Sequence, residues 1–104
     1  MKCIKIYRSG ELSSISLYKK DIEDVEYKYM ETTFHKNDFY INKQEKWYNN
    51  QGKLDRGDDL PAVINYYKND GGRFSEQWFK NGVRHRDSQL IDGKTIDLPA
   101  FIMY

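Results

Sequence analysis

A chain of 104 residues with 17 basic and 16 acidic side chains is long enough for one self-supporting domain and too short for two. A net charge of +1, with basic and acidic groups near balance in both residues 1–46 and 47–104, excludes a global electrostatic footprint for nucleic acid. No uninterrupted apolar stretch approaches the roughly 18 residues that span a bilayer, and a mean hydropathy of −0.91 with 32% charged residues predicts a well-hydrated surface. The lone Cys3 cannot close an internal disulfide, and the opening M-K-C-I-K-I-Y-R lacks the apolar stretch and cleavage site of a secretory signal, so a reducing cytoplasm is the expected location.

Taken in chain order, the signals are those of short strands. Ile4 and Ile6 precede Ser9-Gly10, after which Ile15 and Leu17 resume the period of two, the pattern of a hairpin with a tight turn. Val25, Tyr27 and Tyr29 alternate with Glu26 and Lys28 and predict a strand. The same stretch fits one short capped helix near residues 20–30, with Asp21 at its start and Ile22, Val25 and Tyr29 on one face. Strict alternation of β-branched and tyrosine residues favours the strand.

From Trp47 the chain repeats itself. W-Y-N-N-Q-G-K-L-D-R-G-D-D-L-P-A at 47–62 returns as W-F-K-N-G-V-R-H-R and then L-P-A between Trp78 and Ala100. Asn81-Gly82 tolerates positive φ at both central positions of a two-residue hairpin, pairing Lys80 with Val83, Phe79 with Arg84 and Trp78 with His85. The first copy has one residue more. Asn50-Gln51-Gly52 predicts a three-residue hairpin that sets Trp47 opposite Asp55. Pro61 and Pro99 are placed to open the next strand, continued by Ala62, Ile64 and Tyr66 in one copy and by Ala100, Ile102 and Tyr104 in the other. Arg56 and Arg86 are 30 residues apart but Leu60 and Leu98 are 38 apart, so residues 87–97 hold an insertion, read as a loop or an extra small hairpin around Asp92-Gly93.

The predicted fold is a single all-β domain over 1–104, mainly antiparallel: a β-hairpin repeat sheet or a small sandwich. Residues 1–46 supply capping strands, 47–77 form unit one, and 78–104 form unit two with its insertion. The motif W-F-x-N-G-x-x-H-R followed by L-P-A resembles a MORN-like repeat of giant-virus, phage and bacterial proteins. That resemblance implies units of a hairpin and a third strand stacked into a sheet-like array. Asp55 stands where the resembled unit has histidine.

Several chemistries can be weighed on this frame. An arginine and a carboxylate recurring in register, Arg56 and Arg86 with Asp59 and Asp97, predict a structural brace between adjacent units. His85 and Arg86 also admit a small hydrolase or nuclease reading, although no nucleophile motif or phosphate loop accompanies them. One cysteine and two histidines 50 residues apart predict neither a metal site nor a cofactor. Arg73, Lys80, Arg84 and Arg86 beside Trp78 and Phe79 allow a single-stranded nucleic-acid platform. The preferred expectation is a non-enzymatic module that binds a protein partner through Trp78, Phe79, Lys80, Arg84, His85 and Asp92, together with the 87–97 loop. By analogy with phage and viral proteins, it would inhibit a host defence complex in the host cytoplasm. An unpaired sheet edge leaves room for self-association, and no membrane partner is expected.

Overall fold

The computed structural model of the chain describes residues 2–36 and 38–104. Its strands are β1 (Lys2–Arg8), β2 (Glu11–Lys20), β3 (Glu26–Phe34), β4 (Ile41–Trp47), β5 (Val63–Tyr67), β6 (Arg73–Gln77), β7 (Phe79–Lys80), β8 (Val83–Arg84), β9 (Gln89–Ile91), β10 (Lys94–Ile96) and β11 (Phe101–Met103). Seven of them form one antiparallel sheet in the order β1-β2-β3-β4-β5-β6-β11, and β7-β8 and β9-β10 are two separate ribbons. The chain is thus all-β, and no described residue lies in a helix.

The helix expected as an alternative near residues 20–30 is replaced by a turn, and Asp21 explains it. Its Oδ1 accepts the backbone N–H groups of Glu23 at 2.9 Å and Val25 at 3.0 Å, so the helix-cap signature closes a turn between β2 and β3. Asp38 does the same for Tyr40 and Ile41, and Asp70 for Gly72, at the next two turns of the opposite end. The N-terminal hairpin turns at Ser9 (φ 52°) and Gly10 (φ 79°). The expected pairs Phe79 with Arg84 and Lys80 with Val83 are in register. Asp92 (φ 51°) and Gly93 (φ 76°) turn the β9-β10 ribbon within the insertion. Ile96 closes β10 and Phe101–Met103 form β11, so the residues after Pro99 make a strand of their own.

The sheet is a single layer, not a sandwich, and the molecule measures 53 × 41 × 19 Å. Register sets Ile15, Thr32, Glu45, Ile64, Glu76 and Ile102 side by side on one face. The opposite face carries Ser14, Thr33, Gln44, Asn65, Ser75 and Met103, where Gln44 donates to Asn65 and Asn65 to Ser75, each at 3.0 Å. The buried apolar residues are Ala62, Val63, Ile64 and Trp78, so the core sits over β5 and its junction with unit two. Among the described residues, no helix is long and apolar enough to cross a membrane.

Candidate functional site

The two tryptophan hairpins project from one end of the sheet and are built alike. The Trp47 and Trp78 backbone N–H groups donate to the carbonyls of Ala62 and Ala100, both at 2.8 Å. Each is then followed by a hairpin whose return residue, Asp55 or His85, donates its N–H to the tryptophan carbonyl, at 3.1 and 3.0 Å. The guanidinium of Arg56 lies 3.7 Å from the Trp47 ring centroid, and that of Arg86 lies 4.0 Å from Trp78. Both arginines donate Nη1 at 3.2 Å to the carbonyl of the next proline, Pro61 or Pro99.

The units lock together through unit one's loop. Asp59 accepts Arg86 Nε at 2.8 Å and Nη2 at 2.9 Å, while its carbonyl accepts the Trp78 indole N–H at 3.0 Å. Asp55, in the place of histidine, caps the second hairpin: its Oδ2 accepts the Asn81 N–H at 3.0 Å. Gly82 donates to the Leu54 carbonyl at 2.8 Å, packing hairpin on hairpin. The guanidinium on Asp59 holds its carboxyl below the usual carboxylate range and raises Arg86 in return.

The brace differs from expectation in its outer halves. Asp97 accepts the hydroxyl of Ser88 and pairs with no arginine among the described residues, and Arg56 has no carboxylate partner among them. The physical reason is directional: each link runs from the aspartate of one unit to the arginine of the next, so two units make one complete link.

Of the residues expected to contact a partner, Trp78 is 6% exposed and belongs to the core. Phe79 is half-buried, and Lys80, Arg84, His85 and Asp92 are exposed. His85 Nε2 and Asp87 Oδ1 are 2.7 Å apart, and Lys80 Nζ lies 3.7 Å from the other oxygen. The histidine bond holds Asp87 below the ordinary carboxylate value. Arg84 donates to Gln77 at 2.8 Å and lies 5.3 Å from the Phe101 ring centroid. A cleft of about 200 Å³ opens between the two units, lined by Asp55, Asp58, Asp59, Phe79, His85 and Arg86 among others. Among the described residues, no group of three or more His, Cys, Asp or Glu side chains is placed to hold a metal.

The 87–97 insertion, expected to share in partner contact, carries exposed apolar side chains beyond the contact residues named from the sequence, as does the second hairpin. Val83, Leu90, Ile91 and Ile96 are 66%, 75%, 45% and 39% exposed, on the second hairpin and the β9-β10 ribbon. Register puts Ile91 and Ile96 on one face of that ribbon and Leu90 on the other. The insertion's apolar triplet was the available signal. No protein-family profile matches the chain, and no curated protein or solved structure matches it.

Proposed function

We propose that this chain is a non-enzymatic module that binds a protein partner through the hairpin end of its sheet. The observation that carries the reading is the exposure of Val83 on the second hairpin and of Leu90, Ile91 and Ile96 on the β9-β10 ribbon, with Lys80, Arg84 and His85 exposed on that hairpin. Exposed apolar side chains on pre-formed ribbons lose little conformational freedom on docking. The resemblance to repeats of phage and viral proteins supports a narrower version: an accessory protein that occupies and inhibits a host defence complex in the host cytoplasm.

A nucleic-acid role is less well supported, because Arg73, Lys80 and Arg86 each lie beside a carboxylate: Glu76, Asp87 and Asp59. Paired cations release few counterions on binding phosphate. The experiment is capture from a defence-proficient lysate with the wild-type chain and with a Leu90→Ser/Ile91→Ser variant. A partner retained by the first and lost by the second, at equal thermal stability, is the expected result. Wild-type chain that captures nothing, or a variant that captures as well, overturns it. Salt-dependent retention of single-stranded DNA or RNA would favour the nucleic-acid reading instead.

A further inference from the structure

Arg56 and Arg86 occupy the same seat in successive units, yet they differ in what faces their free nitrogens. Arg86 directs Nε and Nη2 to the two oxygens of Asp59. Arg56 makes the same stack on its tryptophan and the same bond to its proline carbonyl, and among the described residues no carboxylate lies within ion-pairing distance of it. Topology is the cause. Unit two receives the long loop of unit one, whereas unit one is preceded by the tight turn 21–25, which reaches it through Asp21 Oδ2 and Asn50 Nδ2 at 3.5 Å.

Arg56 lines an open cleft of about 290 Å³ with Lys19, Tyr29, Trp47, Asn49 and Asp55 in its walls. Lys19 adds a second cation on one side, 4.9 Å from the Tyr29 ring centroid. Asp55 turns its Oδ2 to the Asn81 N–H and the Asn49 amide and pairs with neither cation, and Glu45 acts on Arg56 only from beyond ion-pairing distance. Burial draws water from the Arg56 guanidinium and pulls its pKa below the ordinary arginine value, the reverse of Arg86. A half-buried guanidinium, held flat on an indole with one edge open, matches a carboxylate in a two-point fork.

We propose that the Arg56 cleft is a carboxylate-receiving subsite that takes an aspartate or glutamate side chain of the protein partner, in the position Asp59 occupies on Arg86. This rests on the protein-binding reading above and adds to it the partner's chemistry: an exposed acidic side chain. The second unit is its internal precedent, because there the same cradle is filled by the segment Gly57-Asp58-Asp59-Leu60-Pro61-Ala62.

The test uses that segment as the probe: an acetylated, amidated hexapeptide of residues 57–62, against its counterpart with both aspartates replaced by asparagine. Binding is read on the full-length protein by NMR at the Trp47 indole N–H and the Arg56 Nε–H. Saturable shifts at both are expected with the acidic peptide, at least fivefold weaker with the asparagine peptide and in Arg56→Lys, which keeps charge and loses the fork. Signals from Trp78 and Arg86 stay in place. Should Arg56→Lys not fold, the two peptides on the wild-type chain decide alone.

Absent shifts, or equal shifts with the asparagine peptide, overturn the subsite. Acetate or inorganic phosphate acting at the same concentration as the peptide overturns it in favour of a general anion site. Shifts that depend on protein concentration and vanish in Asp97→Asn put a second copy of the chain in the cleft and overturn the partner assignment. A silent Arg56, with capture still abolished by Leu90→Ser/Ile91→Ser, removes the subsite and leaves the broader binding reading standing.

Discussion

Asp59 is where the two units meet, and it does three things at once. Its carboxylate forks onto Arg86, its carbonyl takes the Trp78 indole, and its backbone holds φ at 55° to do so. Arg86 is 13% exposed in its side chain and Asp59 31%, so the pair is partly shielded and worth more than a surface ion pair. Arg86→Ala removes both fork bonds and the stack on Trp78, and should cost about 2 kcal/mol, which lowers Tm by roughly 10 °C in a domain of this size. A thermal melt checks it. The pair also sets an acid limb. Asp59's folded pKa lies below its unfolded value, so its contribution is complete above an unfolded pKa of about 3.9 and fades as pH falls through the folded one. Urea midpoints for wild type and Asp59→Asn should differ at pH 6 and converge toward pH 2; a gap that persists at pH 2 would point to lost packing instead. Residue types announced the arginine–aspartate repetition, and the count of links followed only from seeing which unit donates to which. Asp55 was legible as a departure from the repeat, but its bond to the Asn81 N–H needed the fold.

Each unit carries a second conserved geometry one strand further on. Tyr66 donates to Glu45, and Tyr104 donates to Glu76, each tyrosine reaching diagonally to the neighbouring strand on the same face. Burial and the Glu45 bond push Tyr66 up to about 12. A raised folded pKa means this contribution is present below the unfolded value of about 10 and disappears as pH rises through 12. Tyr66→Phe should therefore flatten the alkaline limb of stability between about pH 10 and 12, measured by denaturant midpoints across that range. The alternation of Ile64 with Tyr66 and of Ile102 with Tyr104 is visible in the chain, but a single chain does not reveal cross-strand register, so Glu45 and Glu76 carry no signal of their own. The hairpins were more legible: Asn81 (φ 51°) and Gly82 (φ 82°) adopt the backbone their dipeptide prefers. Gly82→Ala should cost about 1 kcal/mol, because that φ strains any side chain. The β9-β10 ribbon is the separable element. Removing residues 88–95 restores the loop length of unit one, and with Gly-Asp set at 96–97 the trimmed chain should melt within about 5 °C of wild type. Loss of partner capture by this otherwise stable chain would assign the contact to the ribbon.

At the scale of the molecule, the sheet is broad and thin. Its radius of gyration is 15.7 Å, against about 13 Å for a compact domain of similar length. A curled or two-layered sheet was a reasonable expectation from strand patterning, since alternation usually means one buried face. Here polar side chains stand on both faces, among isoleucines on one of them. Ser16, Thr32, Asn65, Ser75 and Glu76 are buried by their taller neighbours and not by a second layer. Apolar burial is correspondingly concentrated: Ile64 is 2% exposed in β5, while its counterpart Ile102 in the edge strand β11 is half-buried. The two positions are the same residue in the same seat, so they isolate what a neighbouring strand contributes. Ile64→Ala should cost about 3 to 4 kcal/mol and Ile102→Ala closer to 1. Amide exchange should follow the same gradient, slowest in β4, β5 and β6 and faster toward β1 and β11, because edge positions open without disturbing the centre. A flat exchange profile, or equal costs at the two isoleucines, would mean that a second layer or another chain covers the edge in solution.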